Sequence, residues 1–177
     1  MEKGKIQTVL GPINPDELGL TLCHEHLSMK FDVAFVPPTN PKYKAYEEAE
    51  LTLENIGWIR QNPLSSKVNI NLNDAESAML YDVHEYKKCG GCTMVENSTI
   101  GLNRDMDFVI RVARETGVNV IAGTGYYVAD SLPSSLISRS EEDLVKEMAS
   151  DLTKGVNGSD VKCGVIGEIG CTWPLHG

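Results

Sequence analysis

Two histidines two positions apart, His24 and His26, close the stretch Leu-Thr-Leu-Cys-His-Glu-His that runs from residue 20 to 26. The stretch alternates apolar and small residues as a β-strand does. Strand side chains alternate faces, so both imidazoles point the same way. Two imidazoles on one face at a strand's end are well placed to hold a metal ion. Taken alone, the pair admits a plain structural reading equally well, with one ring bonded in the core and the other exposed. Glu25 between them points to the opposite face, where a hydrogen bond or salt bridge is expected, because a lone buried carboxylate is costly.

Glu168 is the second candidate, in Ile-Gly-Glu-Ile-Gly (residues 166–170). A carboxylate deep in an apolar strand needs a partner. A divalent cation would serve, as would an arginine or a backbone group, and the flanking glycines permit close backbone approach. Cys89-Gly-Gly-Cys92 has the spacing of a redox pair or half a zinc knuckle, but no second Cys or His pair stands at zinc spacing. Gly90-Gly91 is explained by ending a helix. His84 falls within a helix as a surface or packing residue, and His176 stands one residue from the end. Gly123-Thr-Gly-Tyr-Tyr127 lacks the order of a phosphate-binding loop and reads as a loop after a strand, with Tyr126 or Tyr127 lining a pocket.

These residues need elements to carry them. Residues 5–9 read as a short strand, with Gly11-Pro12 and Asn14-Pro15 turning it into the strand that ends at His26; the two would form a hairpin covering a barrel's lower end. Residues 31–41 form an irregular, proline-rich loop and are a candidate active-site loop. Helical propensity spans 46–61. A clearer helix starts at an Asn73 cap with Glu76 completing a capping box, and carries Ala75, Ala78, Met79, Val83 and Tyr86 on one face. Residues 93–97 make a buried strand, and 104–116 a helix with Met106, Val109, Ile110 and Ala113 as its stripe and Gly117 at its end. Residues 118–123 give a third strand. Ser140 with Asp143 opens another helix, with Leu144, Val145, Met148 and Leu152 inward, and residues 163–169 give a fourth strand.

The order β-α-β-α-β-α-β, with nearly continuous apolar strands, belongs to parallel α/β folds. In such folds ligands sit at the carboxyl ends of strands, where both histidines fall. No internal repeat or linker interrupts the pattern, so residues 1–177 read as one domain. Of 177 residues, 41% are hydrophobic and 23% charged, as in a soluble globular protein. A net charge of -9 excludes a phosphate-backbone partner and an anionic membrane surface. No apolar run is long enough to span a membrane, and the first residues lack a signal peptide's apolar segment. Five scattered cysteines suit free thiols in a reducing cytoplasm.

Several segments together resemble one family. Gly-Lys-Ile-Gln-Thr-Val-Leu-Gly at 4–11, the 20–26 strand, Val-Glu-Asn-Ser-Thr at 95–99, Ala-Gly-Thr-Gly-Tyr-Tyr at 122–127 and Cys-Gly-Val-Ile-Gly-Glu-Ile-Gly-Cys-Thr-Trp-Pro-Leu at 163–175 are similar to phosphotriesterase-related proteins of animals. These belong to the phosphotriesterase group of the amidohydrolase superfamily. The resemblance implies a (β/α)8 TIM-barrel with two divalent metals, usually zinc, at its C-terminal face. His24 and His26 match strand-one ligands of one metal, and Glu168 matches the residue bridging the two. It also implies hydrolysis of small amides or esters, N-acyl compounds such as N-acetyltaurine, by a metal-activated hydroxide attacking the carbonyl.

Members of that family are about twice as long, and their second half supplies two further histidines and a proton-accepting aspartate. The expectation is therefore a barrel truncated to about its first four β/α units, inactive alone, with its catalytic residues in the other half. A (β/α)8 barrel takes about 250 residues. The alternative is a non-enzymatic module, such as a homo-oligomer pairing through open sheet edges. A third reading keeps a single zinc on His24, His26 and Glu168.

Overall fold

The computed structural model of the chain describes residues 3–174; His176 lies outside them. A short antiparallel hairpin comes first, β1 (Ile6–Thr8) paired with β2 (Gly11–Ile13). Four parallel strands follow in sequential order: β3 (Leu20–Glu25), β4 (Gly91–Glu96), β5 (Asn119–Thr124) and β6 (Val165–Ile166). The helices are α1 (Ile56–Gln61), α2 (Glu76–Lys88), α3 (Met106–Thr116), α4 (Ser134–Ile137) and α5 (Glu141–Thr153). Each pair of neighbouring strands is joined by a crossover that contains helix. The parallel order is the one expected from the apolar strands, and the sheet makes one half of a (β/α)8 barrel, as the family resemblance implies.

The core lies between sheet and helices. Val83 of α2 and Phe108, Val109, Val112 and Ala113 of α3 pack against Met94, Val120 and Ala122. Full burial of one such side chain stabilises by roughly 1.5–3 kcal/mol, so this layer dominates the fold's energetics. Tyr86 fastens α2 to the strands: its one hydroxyl proton is shared between the Leu20 carbonyl at 2.7 Å and the Thr93 carbonyl at 2.9 Å. Its ring lies against Gly91, where an added Cβ would collide with the ring atoms. Helix α3 starts on Asp105, which accepts from the Phe108 amide at 3.1 Å. It ends at Gly117, whose φ of 66° stops the helix in the left-handed conformation.

Several expectations are corrected. The strand at residues 5–9 does not pair with the one ending at His26. It turns back on itself at Val9-Leu10, and Gly11 and Pro12, expected in a turn, form the partner strand. The hairpin nonetheless packs low on the sheet, where the Val9 amide donates to the Val120 carbonyl at 2.9 Å. Residues 46–61 are not one helix, because Asn55 is buried and holds a turn: it accepts from the Thr52 amide at 2.9 Å and donates to the Glu50 carbonyl at 2.8 Å. A side chain bonding nearby backbone offers an alternative to the helix.

Asn73 does not cap α2, which starts later, after Ala75. Its amide instead joins loops, accepting from Ser28 at 2.9 Å and donating to the Asn103 carbonyl at 3.0 Å. Val145 of α5, expected inward, is 51% exposed. The fourth strand contracts to Val165–Ile166, although hydrogen bonds to its neighbours continue on both sides of it, from Gly164 to Ala122 and from Gly167 to Thr124.

Candidate metal centre

Strand β3 delivers both histidines to the carboxyl end of the sheet. It carries one extra residue between Leu22 and Glu25 relative to β4, a bulge of the kind that re-aims side chains beside functional sites. The two rings sit on one side, centroids 5.2 Å apart and edge to face. Across the sheet, Glu168 follows β6. Its backbone is drawn in by two bonds, from its amide to the Asn97 carbonyl at 3.0 Å and from the Thr99 hydroxyl to its own carbonyl at 2.8 Å. Gly167 makes this approach possible, since an added Cβ would lie 2.8 Å from the Asn97 oxygen.

The Glu168 carboxylate oxygen Oε2 stands 3.3 Å from His26 Nε2 and 3.6 Å from His24 Nε2. One donor atom from each of the three side chains lies within 4.8 Å of the other two. Burial lowers the His26 pKa, the nearby Glu168 opposes that shift and His24 adds to it. A neutral His26 therefore prevails at pH 7, with an acceptor nitrogen available for a ligand bond. His24 is the open side of the group, its side chain 58% exposed against 22% for His26. Two imidazoles and a carboxylate form a donor set suited to zinc and to related first-row divalent ions. Their convergence on one small volume fits such an ion.

The remaining candidates separate. Tyr127 stays near the group: it stacks edge to face with Phe31 at 5.8 Å, and burial followed by the charge of Glu168 raises its pKa. Tyr126 turns away towards α5. Burial, with Glu147 beside it, pushes its phenol up to about 12, yet its hydroxyl has no partner at hydrogen-bond geometry. Glu25 makes no side-chain hydrogen bond or ion pair among the described residues, contrary to the partner expected on its own face. His84 is exposed on α2, and Cys89 and Cys92 are free thiols at a helix-to-strand turn.

The residues missed in the sequence lie at the carboxyl end of β4. Glu96 is fully buried, and its pKa rises to about 7, chiefly through desolvation. The Leu27 amide reaches its Oε1 at 3.3 Å. The Ser98 hydroxyl and amide also lower the Glu96 pKa without meeting that geometry, and Oε2 has no partner. Arg104 donates to the carbonyls of Ser98 (3.2 Å) and Gly123. A charged residue inside the apolar run Thr-Met-Val-Glu was the available signal.

A parallel half-barrel with donor groups at its carboxyl rim places the chain among (β/α)8-barrel proteins. The chain belongs to the phosphotriesterase family, whose sequence pattern it matches over residues 4–176. It is 43% identical over 173 residues to the N-acetyltaurine hydrolase of Xenopus tropicalis, covering 97% of this chain and 49% of that protein. It is 40% identical to the phosphotriesterase-related protein of Nematostella vectensis over 177 residues, 99% of this chain and 51% of the relative. Among solved structures, a resiniferatoxin-binding protein from Rhodobacter sphaeroides superposes with a TM-score of 0.93 at 35% identity, over 99% of this chain and 49% of that one. The phosphotriesterase homology protein of Escherichia coli, solved with phosphate in its active site, gives 0.61 at 25% identity, over 89% and 43%. The chain spans about half the length of the relatives it matches.

Proposed function

We propose that the chain is the first half of a binuclear, metal-dependent hydrolase of small amides or esters, with N-acyl compounds such as N-acetyltaurine as its substrate class. The observation that carries this reading is the convergence of His24, His26 and Glu168 at the carboxyl rim. Relatives named N-acetyltaurine hydrolase, 43% and 44% identical in Xenopus tropicalis and Bos taurus, support the substrate class. In this reading His24, His26 and Glu168 would hold the metal, zinc being suited to their donor types. A divalent ion there supplies Lewis-acid chemistry, drawing electron density from a carbonyl or phosphoryl oxygen and acidifying water.

The chain's own groups then do three things. His26 offers a neutral, half-buried ring that keeps its lone pair at pH 7. Glu168 contributes the negative charge that offsets the ion. Tyr127, held protonated by its raised pKa, presents a hydroxyl near the rim, and Phe31 packs on it from the loop after β3. The groups that complete a second metal site and accept the substrate's proton are assigned to the other half of the barrel. The 177-residue chain alone is accordingly expected to leave N-acetyltaurine intact, while a longer chain carrying both halves cleaves it. Turnover by the 177-residue chain at the longer chain's rate contradicts the division of labour.

A second reading is a module that pairs with another copy, and exposure favours it. Leu20 and Leu22 on β3 and Ile166 and Ile169 around β6 are exposed apolar side chains at the two margins of the sheet. Residence in the cytoplasm belongs to the proposal too. It rests on the five cysteines being free; no helix among the described residues is long and apolar enough to cross a membrane.

A further inference from the structure

The segment Glu96 to Thr99 contacts both strands that bring the donor groups. The Asn97 amide donates to the Glu25 carbonyl at 2.9 Å, its side chain to the Cys23 carbonyl at 3.1 Å, and its own carbonyl accepts from Glu168. Thr99 holds the Glu168 carbonyl. Between them Ser98, fully buried, places its hydroxyl oxygen 2.9 Å from His26 Nδ1. This is the ring nitrogen that faces away from Glu168, and nothing else in the described chain bonds it.

A hydroxyl has one proton to give, so the direction of this bond follows from what else the hydroxyl faces. Behind Ser98 stands the buried Glu96 carboxylate, short of donors and with one oxygen unpartnered. The Ser98 hydroxyl is near enough to lower the pKa of that carboxylate, so its proton turns towards Glu96 and its oxygen is left to accept from His26. The Arg104 bond to the Ser98 carbonyl holds the backbone of the residue in place.

We propose that Ser98 is a positioning residue: with Glu96 behind it, it accepts the Nδ1 proton of His26 and so holds the ring with its Nε2 lone pair towards His24 and Glu168. A ligating histidine commonly gives its second ring N–H to such a partner, which fixes the tautomer and strengthens the ligand. The consequence for metal binding rests on the metal reading above; the tautomer itself does not.

The test uses histidine-15N-labelled 177-residue chain at pH 7.5. The first readout is the proton on His26 Nδ1 and its solvent exchange, measured without metal. The second is zinc affinity, by competition with a chromophoric chelator. Wild type is expected to show an exchange-protected Nδ1 proton. Ser98→Ala is expected to lose that protection and to bind zinc about 10- to 100-fold more weakly. Ser98→Thr, which keeps the hydroxyl, is expected to recover both, which a merely steric role for the side chain does not require. A protected proton in Ser98→Ala, with zinc affinity unchanged, overturns the inference. If Ser98→Ala does not fold, wild type decides, because an unprotonated Nδ1 is contradictory by itself. A chain that takes no zinc yet shows the protected proton, lost in Ser98→Ala, refutes the metal reading and leaves the role of Ser98 standing.

Discussion

Glu96 is a carboxyl group buried completely and lacking a partner for one oxygen. Its pKa of about 7 against an ordinary 4.5 corresponds to about 3 kcal/mol. The sign follows from proton counting. Between those values the folded state keeps a proton that the unfolded state has released, so stability falls as pH rises. Below about 4.5 the group costs nothing, and above about 7 it carries its full cost. Glu96→Gln is therefore expected to leave urea stability unchanged at pH 4.5 and to raise it by up to about 3 kcal/mol at pH 8; equal effects at both pH values contradict the assignment. Gly167 makes the opposite case. A methyl there collides with the Asn97 oxygen, so Gly167→Ala is expected to cost about 1–3 kcal/mol, measured by thermal unfolding. The shared side of His24 and His26 was legible from strand alternation, whereas the approach of Glu168 depends on the bonds that Asn97 and Thr99 make to its backbone. Ser98 and Glu96 were not legible, since their roles depend on which loop crosses behind the site.

At the scale of elements, regular periodicity carried well and local side-chain competition did not. The α3 stripe of Val109, Ile110 and Ala113 follows from 3.6-residue spacing, and its end from the left-handed Gly117. Phe108→Ala, which empties a buried position of that helix, is expected to cost about 3–5 kcal/mol. Val145→Ala on α5 is expected to stay within about 0.5 kcal/mol, as for an exposed position. Chemical denaturation of the two variants checks the ranking, and the reverse order contradicts the packing described. The failures share one cause. Asn55 lay in a helical stretch and Asn73 at a cap, but Asn55 bonds local backbone and Asn73 bonds the Ser28 hydroxyl and the Asn103 carbonyl, and the first strand closed on Gly11-Pro12 where a tight turn allowed it. Such choices depend on tertiary partners that periodicity does not contain.

For the whole molecule, the parallel order β3-β4-β5-β6 was legible as soon as strands and helices alternated. The half-barrel extent was legible only through family length. Two strand edges and an inner face with Leu20 and Leu22 exposed give the isolated chain a surface that favours association. Light scattering of the 177-residue chain is expected to show self-association that grows with concentration. A folded monomer at every concentration contradicts that expectation.

The central claim is that His24, His26 and Glu168 act as one metal site, and zinc binding by isothermal titration with parallel elemental analysis tests it most directly. Wild type is expected to bind zinc. His24→Ala, His26→Ala and Glu168→Gln are each expected to weaken that binding at least about 10-fold, with His26→Ala among the largest losses because its ring is the most buried of the three. Equal zinc content in wild type and all three variants, or none in any of them, contradicts the account.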